Sequence, residues 1–200
     1  MNSLMVILAP GFEEIEAVAP IDLLRRAGLK VGIAGLGSRE AEGSHAIRVK
    51  ADFALCPGDS LPQALPGGGF PEGLIFPGGM PGAANLAASP EVLRLIAGVR
   101  AADGLIAAIC AAPGVLLGPT GLLEGRRVTC YPGYEKYLGA GAVWVPDPVV
   151  ADGNLITARS AGAAIDFALE IIAYCRDRAA SDKAAAAILY EPRGSRELPI

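Results

Sequence analysis

Charge is scarce in this 200-residue chain: only 19% of its residues are Asp, Glu, Lys or Arg, against about a quarter in typical globular domains. The 17 basic residues are outnumbered by 21 acidic ones, and the formal net charge is −4. This balance argues against nucleic-acid binding, which needs a basic face. No repeat of 20 to 50 residues is present, which excludes a solenoid. With 52% hydrophobic residues, the composition predicts a single globular domain over residues 1–200.

Cysteine and histidine are also rare. The chain has four cysteines (Cys56, Cys110, Cys130 and Cys175) and one histidine, His45. No two cysteines have CxxC spacing, so neither a zinc site nor a thioredoxin-type motif is predicted. A chain this large and apolar needs no disulfides, so we expect reduced thiols and a cytoplasmic location.

Membrane and targeting segments are not expected. Residues 104–123 are uncharged and long enough to cross a bilayer, but they include Pro113, Pro119 and four glycines. This pattern favours a buried strand, a turn and a short buried helix. The first apolar run, residues 4–9, has no basic flank and is soon followed by Glu13 and Glu14, which is not typical of a signal peptide.

Along the chain, apolar strand-like runs alternate with helix-like segments. Strands are predicted at 4–9, 30–35, 49–56, 73–76, 105–109, 126–130, 144–150 and 154–157, and helices at 13–27, 90–102, from 111, 165–173 and about 181–189. Residues 60–71 are rich in Pro and Gly and are predicted to form a loop. This alternation predicts an α/β fold, a flavodoxin-like three-layer α/β/α sandwich with a mostly parallel sheet.

In such sheets the site lies beyond the carboxyl ends of the strands. Three segments should therefore meet there: residues 10–16, 77–80 and 110–113. The acidic residues of the first segment would repel phosphate, and the chain has no GxxxxGK[ST] motif and no GxGxxG after a strand. We therefore expect no nucleotide and no other cofactor.

Cys110 is the sharpest candidate in these segments. It follows the apolar strand LIAAI and precedes Ala111 and a helix-initiating Pro113. This strand–turn–helix position places the thiol at a helix N-terminus, which is expected to lower its pKa. The alternative is an inert buried cysteine.

Glu16 is the second candidate. Across the strand ends, its carboxyl could share a hydrogen bond with the sulfur of Cys110. The alternative is a surface acid favoured by the helix dipole, as is expected for Glu13 and Glu14. His45 lies in a polar loop and is interpreted as a solvated residue.

Four segments carry a resemblance to a known family. They are LAPGFEEIEAVAPIDLLRRAGLKV (8–31), IFPGGMPGAANL (75–86), GLIAAICAAPGVLL (104–117) and ITARSAGAAIDFALEII (156–172). In these segments the chain resembles the ThiJ/PfpI superfamily, and within it the branch of the Parkinson-disease protein deglycase and its bacterial relatives.

This resemblance implies a homodimer in which Cys110 is the nucleophile of a strained elbow. Glu16 would be a carboxylic acid hydrogen-bonded to its sulfur, and the backbone amides of Gly79 and Ala111 would form an oxyanion pocket. Further residues expected to line the pocket are Gly78, Cys130 and Tyr131. Two positions depart from the pattern of some relatives, with Tyr131 in place of a histidine and Ala51 in place of an arginine. Because tyrosine is a poor base at neutral pH, imidazole-dependent chemistry is not expected.

The function that the resemblance implies is a glutathione-independent glyoxalase or deglycase. It would act on reactive dicarbonyls such as methylglyoxal, or on their early adducts with protein groups, and protect against oxidative stress. The alternative is a non-enzymatic redox sensor or chaperone that uses oxidation of Cys110. A weaker alternative is a cysteine peptidase, for which His45 is the sole candidate base.

Overall fold

A computed structural model describes residues 3–58 and 70–191 of the chain. The strands in these ranges are β1 (Ser3–Leu8), β2 (Lys30–Leu36), β3 (Glu40–Glu42), β4 (Arg48–Lys50), β5 (Phe53–Leu55), β6 (Gly73–Phe76), β7 (Leu105–Ile109), β8 (Arg127–Val128), β9 (Val143–Trp144), β10 (Val149–Asp152) and β11 (Leu155–Ala158). The α-helices are α1 (Glu14–Arg26), α2 (Gly82–Ala87), α3 (Pro90–Ala101), α4 (Ala164–Cys175) and α5 (Arg178–Ala187).

Seven strands form one sheet in the order β10-β11-β7-β6-β1-β2-β5. All neighbouring pairs are parallel except β10 and β11, which are antiparallel at one edge. The predicted mostly parallel α/β sheet is therefore confirmed. Because β1, β6 and β7 are central neighbours, the segments that follow them meet at one edge of the sheet.

Both faces of the sheet are covered by helices. Along β1, Leu4, Val6 and Leu8 belong to a core shared with α1, α4 and α5. The alternate residues Met5 and Ile7 belong to a second core shared with α2 and α3. The strand is buried on both faces, as expected for a parallel sheet between two helical layers, and the three-layer sandwich is confirmed.

Two predicted strands are wrong in their extent. Residues 49–56 form parts of two strands, because β4 pairs with β3 in a hairpin while β5 pairs with β2 in the main sheet. Between them, the N–H of Asp52 donates to the carbonyl of Ile33, and its carboxylate accepts from the N–H of Ile33. Residues 144–150 are likewise divided between β9 and β10, because Pro146 and Pro148 have no N–H to donate to a ladder.

The uncharged segment 104–123 contains β7 and a short π-helix, Pro113–Leu117. These are the strand and the short buried helix that the sequence predicts. Within residues 3–58 and 70–191, no helix combines the length and the apolar character needed to span a bilayer. Most of the predicted loop at 60–71 lies outside the described residues.

Candidate active site

Cys110 lies in the turn between β7 and the π-helix, the predicted strand–turn–helix position. Its backbone is left-handed, with φ of 66°, which is rare for a residue other than glycine and costs about 1 to 3 kcal/mol. Two hydrogen bonds hold this conformation: the N–H of Cys110 donates to Ala158 O (2.9 Å), and its carbonyl accepts from the N–H of Tyr131 (2.8 Å). The half-buried thiol is therefore presented from a fixed, strained turn.

Glu16 lies on the first turns of α1 and is only 1% exposed, so its interpretation as a surface acid is wrong. Its Oε2 accepts a hydrogen bond from the N–H of Gly78 (2.8 Å), and the carboxyl also interacts with the Cys110 thiol. Oε1 is buried and completes no hydrogen bond with any described residue. Oε2 is thus fixed by Gly78, and the Cys110 thiol and the N–H of Ala161 also act on the carboxyl.

Burial raises the pKa of Glu16 to about 7, and the negative charge of Glu13 adds to this effect. The hydrogen bonds from Gly78 and Cys110 oppose it. A carboxyl with a pKa near neutrality can both accept and donate a proton at neutral pH, as general acid–base chemistry requires.

The Cys110 thiol does not have the lowered pKa that the sequence suggests. Burial and the negative charge of Glu16 raise its pKa to about 12, although the N–H groups of Gly79 and Ala111 act in the opposite direction. The helix behind the turn has only five residues, so it offers little compensation. A Glu16 that carries a proton would instead donate to the sulfur and favour the thiolate, so the two groups titrate as a pair.

Two glycines allow this close packing. A Cβ on Gly78 would lie 2.7 Å from the Cβ of Cys110 and 2.8 Å from Oε2 of Glu16. Gly79 has a left-handed backbone, with φ of 85°, and a Cβ there would overlap the backbone N–H of Glu13. Because glycine has no side chain, the backbone at positions 78 and 79 can approach the sulfur closely enough for the amide of Gly79 to act on it.

Replacing Gly78 by alanine is expected to lower any turnover at Cys110 by about 100-fold, because the new methyl group must displace either the thiol or the carboxyl. Steady-state kinetics of Gly78→Ala would measure this loss. Gly141→Ala is a matched control, since the nearest neighbour of its Cβ would be the side chain of Glu124 (2.8 Å), far from Cys110 in the sequence, with the nearest backbone atom at an ordinary 3.4 Å. Wild-type rates in Gly78→Ala would mean that the packing of Cys110 against Glu16 has no role in the reaction.

The remaining predicted pocket residues lie beside the turn in different ways. Tyr131 is 44% exposed, and its ring packs edge-on against Tyr134 with 6.1 Å between centroids. Cys130 is 2% exposed and belongs to the core of α2 and α3, whereas Cys110 packs against the core of α1 and α4. The two cysteines therefore pack against different hydrophobic cores. Ala51 is buried where the chain passes from β4 to β5.

Glu14 and His45 form a contact that the sequence did not predict. Although burial opposes ionisation, hydrogen bonds from the ring and backbone of His45 lower the pKa of Glu14 to about 2. The two residues are 31 positions apart, and the β3–β4 hairpin brings them together. From the sequence, His45 was expected only to lie in a polar loop. Glu14 is therefore not a surface acid, and the exposed His45 is not simply solvated.

This geometry can be compared with known proteins. Residues 2–174 match the DJ-1/PfpI family. The chain belongs to this family. It is similar to Protein dj-1beta of Drosophila melanogaster. The two are 42% identical over a stretch that covers 85% of this chain and 87% of the relative. It is 35% identical to the glutathione-independent glyoxalase DJR-1.2 of Caenorhabditis elegans, over 86% of this chain and 87% of the relative.

Solved structures of the DJ-1 group have the same fold. An oxidized DJ-1 of Toxoplasma gondii superposes with a TM-score of 0.86 and 32% identity, covering 96% of this chain and 100% of the other. Membership of the DJ-1/PfpI family supports a DJ-1-type function for the chain, and one relative carries the name of an enzyme.

Proposed function

We propose that this chain is a cysteine-dependent, glutathione-independent glyoxalase that converts reactive dicarbonyls such as methylglyoxal to hydroxy acids. Early adducts of these compounds on protein groups would be further substrates, and removing both would protect against oxidative stress. The observation that carries the proposal is the buried Glu16, whose carboxyl interacts with the Cys110 thiol and has a pKa raised to about 7.

The first step is addition of the thiol to the aldehyde carbon. The sulfur of Cys110 forms a C–S bond, and its proton passes to Glu16 and then to the new hydroxyl group, which gives a hemithioacetal. The N–H groups of Gly79 and Ala111, which already point at the sulfur, are positioned to stabilise the developing oxyanion.

The second step moves one proton between neighbouring carbons. Glu16 removes the C–H proton of the hemithioacetal carbon, and the electron pair forms an enediolate with its negative charge on the former ketone oxygen. This oxygen takes up the proton of the neighbouring hydroxyl group, and the same carboxyl delivers the C–H proton to the adjacent carbon. The former aldehyde carbon is thereby oxidised by two electrons and the ketone carbon is reduced by two. The product is a thioester, and no external oxidant is needed.

Hydrolysis completes the cycle. Water adds its oxygen to the thioester carbon, the C–S bond breaks, and the sulfur regains a proton. The net reaction is dicarbonyl plus water to hydroxy acid, which requires neither glutathione nor a cofactor.

The test is a glutathione-free assay of lactate production from methylglyoxal by wild type and Cys110→Ala. Many lactate molecules per chain from wild type alone would support an enzyme. Adducts that stop at one per thiol, without lactate, would contradict the proposal and favour a sensor.

The second candidate function, a redox sensor or chaperone, is favoured by the surroundings of the same sulfur. The N–H groups of Gly79 and Ala111 could stabilise the anion of an oxidised Cys110, and a protonated Glu16 could donate to a sulfinate oxygen. Cys130 is buried in a different hydrophobic core from the one that Cys110 packs against, which disfavours a disulfide between them.

Mild hydrogen peroxide is expected to convert Cys110 to the sulfinate before any other thiol. Cys130 and Cys175 are buried, so peroxide reaches their sulfurs less readily than the half-buried sulfur of Cys110, whose oxidised anion the N–H groups of Gly79 and Ala111 would stabilise. Cys56, which is half-buried, is the main rival by access. Peptide mass mapping after graded peroxide would identify the order of oxidation. Earlier oxygen uptake at Cys56 or Cys130, or a dominant 110–130 disulfide, would contradict this prediction.

The peptidase alternative finds no support in the described residues. His45 is the chain's single histidine, and its Nδ1 lies 2.9 Å from Oε2 of Glu14.

A homodimer and a cytoplasmic location stay predictions. Exposed Ile15 and Val18 on α1 offer an apolar surface for the dimer, and sedimentation velocity would test it.

A further inference from the structure

Four polar side-chain atoms converge where the tip of the β3–β4 hairpin meets the start of α1. They are Oε2 of Glu13, Oε2 of Glu14, Oγ of Ser44 and Nδ1 of His45. His45 Nδ1 lies 2.9 Å from the Glu14 oxygen and 3.6 Å from the Glu13 oxygen. Ser44 Oγ lies 3.4 Å from each carboxylate oxygen and 3.2 Å from the histidine nitrogen.

These separations match the edges of a metal-centred tetrahedron. Zinc binds histidine nitrogen and carboxylate oxygen at roughly 2.0 to 2.2 Å, so ligand atoms at the corners of a zinc tetrahedron are about 3.3 to 3.6 Å apart. Five of the six edges run from 2.9 to 3.6 Å. Ligand oxygens of Glu13 and Glu14, which define the sixth edge, lie within 4.8 Å of each other, so one ion could reach all four atoms once the side chains adjust.

The ligands are also pre-organised. Oε1 of Glu14 accepts from the backbone N–H of His45 (2.7 Å), which fixes the carboxylate with its Oε2 against Ser44 and His45. Gly43 makes room for this carboxylate, because a Cβ there would overlap it. Glu14 is buried, while the His45 side chain is 69% exposed, so an ion could enter from solvent.

The charges favour a cation. Two carboxylates carry a formal charge of −2, whereas the positive end of the α1 dipole is worth about half a charge. Mixed oxygen and imidazole donors suit zinc and neighbouring divalent transition metals better than calcium or magnesium, which prefer oxygen alone.

We propose that Glu13, Glu14 and His45, with the Ser44 hydroxyl at the fourth corner, form a binding site for one zinc-class divalent cation. The site includes none of the residues assigned to the reaction at Cys110, although the charge of Glu13 also acts on Glu16, and the proposal does not depend on the function proposed above. Sequence spacing could not predict it, because its two halves are about 30 residues apart.

Zinc titration of the Cys110→Ala chain by isothermal calorimetry would test the proposal, since this background removes the candidate thiol ligand. We expect one Zn²⁺ per chain, and an affinity at least about tenfold lower in Glu13→Gln and in His45→Gln. Glu40→Gln is the matched control, because this exposed carboxylate lies on the same hairpin, and it should bind as the background does. Unchanged affinity in His45→Gln, or no stoichiometric binding in the background, would overturn the proposal.

Cobalt supplies an independent readout of the ligands. Co²⁺ in the Cys110→Ala chain should give the visible spectrum of a tetrahedral nitrogen–oxygen site, and this spectrum should be lost in His45→Gln. A thiolate-to-cobalt charge-transfer band would instead place the ion on a remaining cysteine and contradict the assignment. Circular dichroism of each variant would establish that it is folded before its affinity is compared.

Discussion

Cys110→Ser is expected to reduce lactate production from methylglyoxal to the background of the uncatalysed reaction. A serine hydroxyl fits the same left-handed turn and accepts the same backbone hydrogen bonds, so the fold should be kept. Its oxygen is far less acidic than a thiol, and the Gly79 and Ala111 amides cannot make it an effective nucleophile at neutral pH. Lactate release under steady-state conditions is the measurement.

The control for this substitution is Cys56→Ser. Cys56 is also half-buried, and its thiol donates a long hydrogen bond to the carbonyl of Gly37 (3.9 Å). The control should turn over methylglyoxal at the wild-type rate. If Cys110→Ser kept more than half of the wild-type rate, the assignment of Cys110 as the nucleophile would be wrong.

Glu16→Gln is expected to slow turnover by about 100-fold or more, the usual loss when a positioned acid–base group is removed. The amide oxygen can still accept from the N–H of Gly78, so the local structure should survive. The amide cannot carry the proton from one substrate carbon to the next. The rate constant kcat should therefore fall much more than KM changes.

The pH profile separates a catalytic role for Glu16 from a structural one. Because the pKa of Glu16 is raised to about 7, its carboxylate, the form that accepts a proton, accumulates as the pH rises through 7. Wild-type activity should rise over this range, and Glu16→Gln should lose that rise. Asp22→Asn, an exposed acid on the same helix, is the control and should keep the wild-type profile.

Thermal unfolding provides a further check on Glu16→Gln. A buried acid with a raised pKa binds its proton more tightly in the folded state, so stability declines as the pH rises from about 4.5 to about 7. The glutamine variant does not ionise and should melt no lower than wild type at pH 8. A slow variant with a much lower melting temperature would point to lost structure. A variant with normal kinetics would assign the proton transfer to another group.

Elements with strong local boundaries were predictable from the sequence. Strands β6 and β7 lie at the predicted residues. Proline and glycine end the apolar run of β6, and the turn at Cys110 ends that of β7. Helix α3 begins as predicted, with the Ser89 hydroxyl accepting from the N–H of Val92 (3.3 Å) and Pro90 at its first position. The rule that sites lie beyond the carboxyl ends of parallel strands likewise predicted that Cys110, Glu16 and Gly78 lie close together.

Features that depend on contacts between distant segments were not predictable. The pKa of Cys110 depends on burial and on the charge of Glu16, and neither follows from the residues next to the thiol. The contact between Glu14 and His45 requires a hairpin whose strands have three residues each, too short for a clear alternation. The break between β9 and β10 was predictable from Pro146 and Pro148, but the apolar residues around these prolines suggested one continuous strand.

The left-handed backbone of Cys110 has a consequence for how this chain can change. Glycine would adopt that conformation without penalty, so the folded state gives up about 1 to 3 kcal/mol to keep a sulfur there. Because whole domains are stable by only about 5 to 15 kcal/mol, this is a sizeable share of the margin. Selection for stability alone would favour replacing the nucleophile of the proposed chemistry. The cysteine at this turn is thus a trade-off between robustness and reactivity, and a thermostabilised variant should be checked at position 110 first.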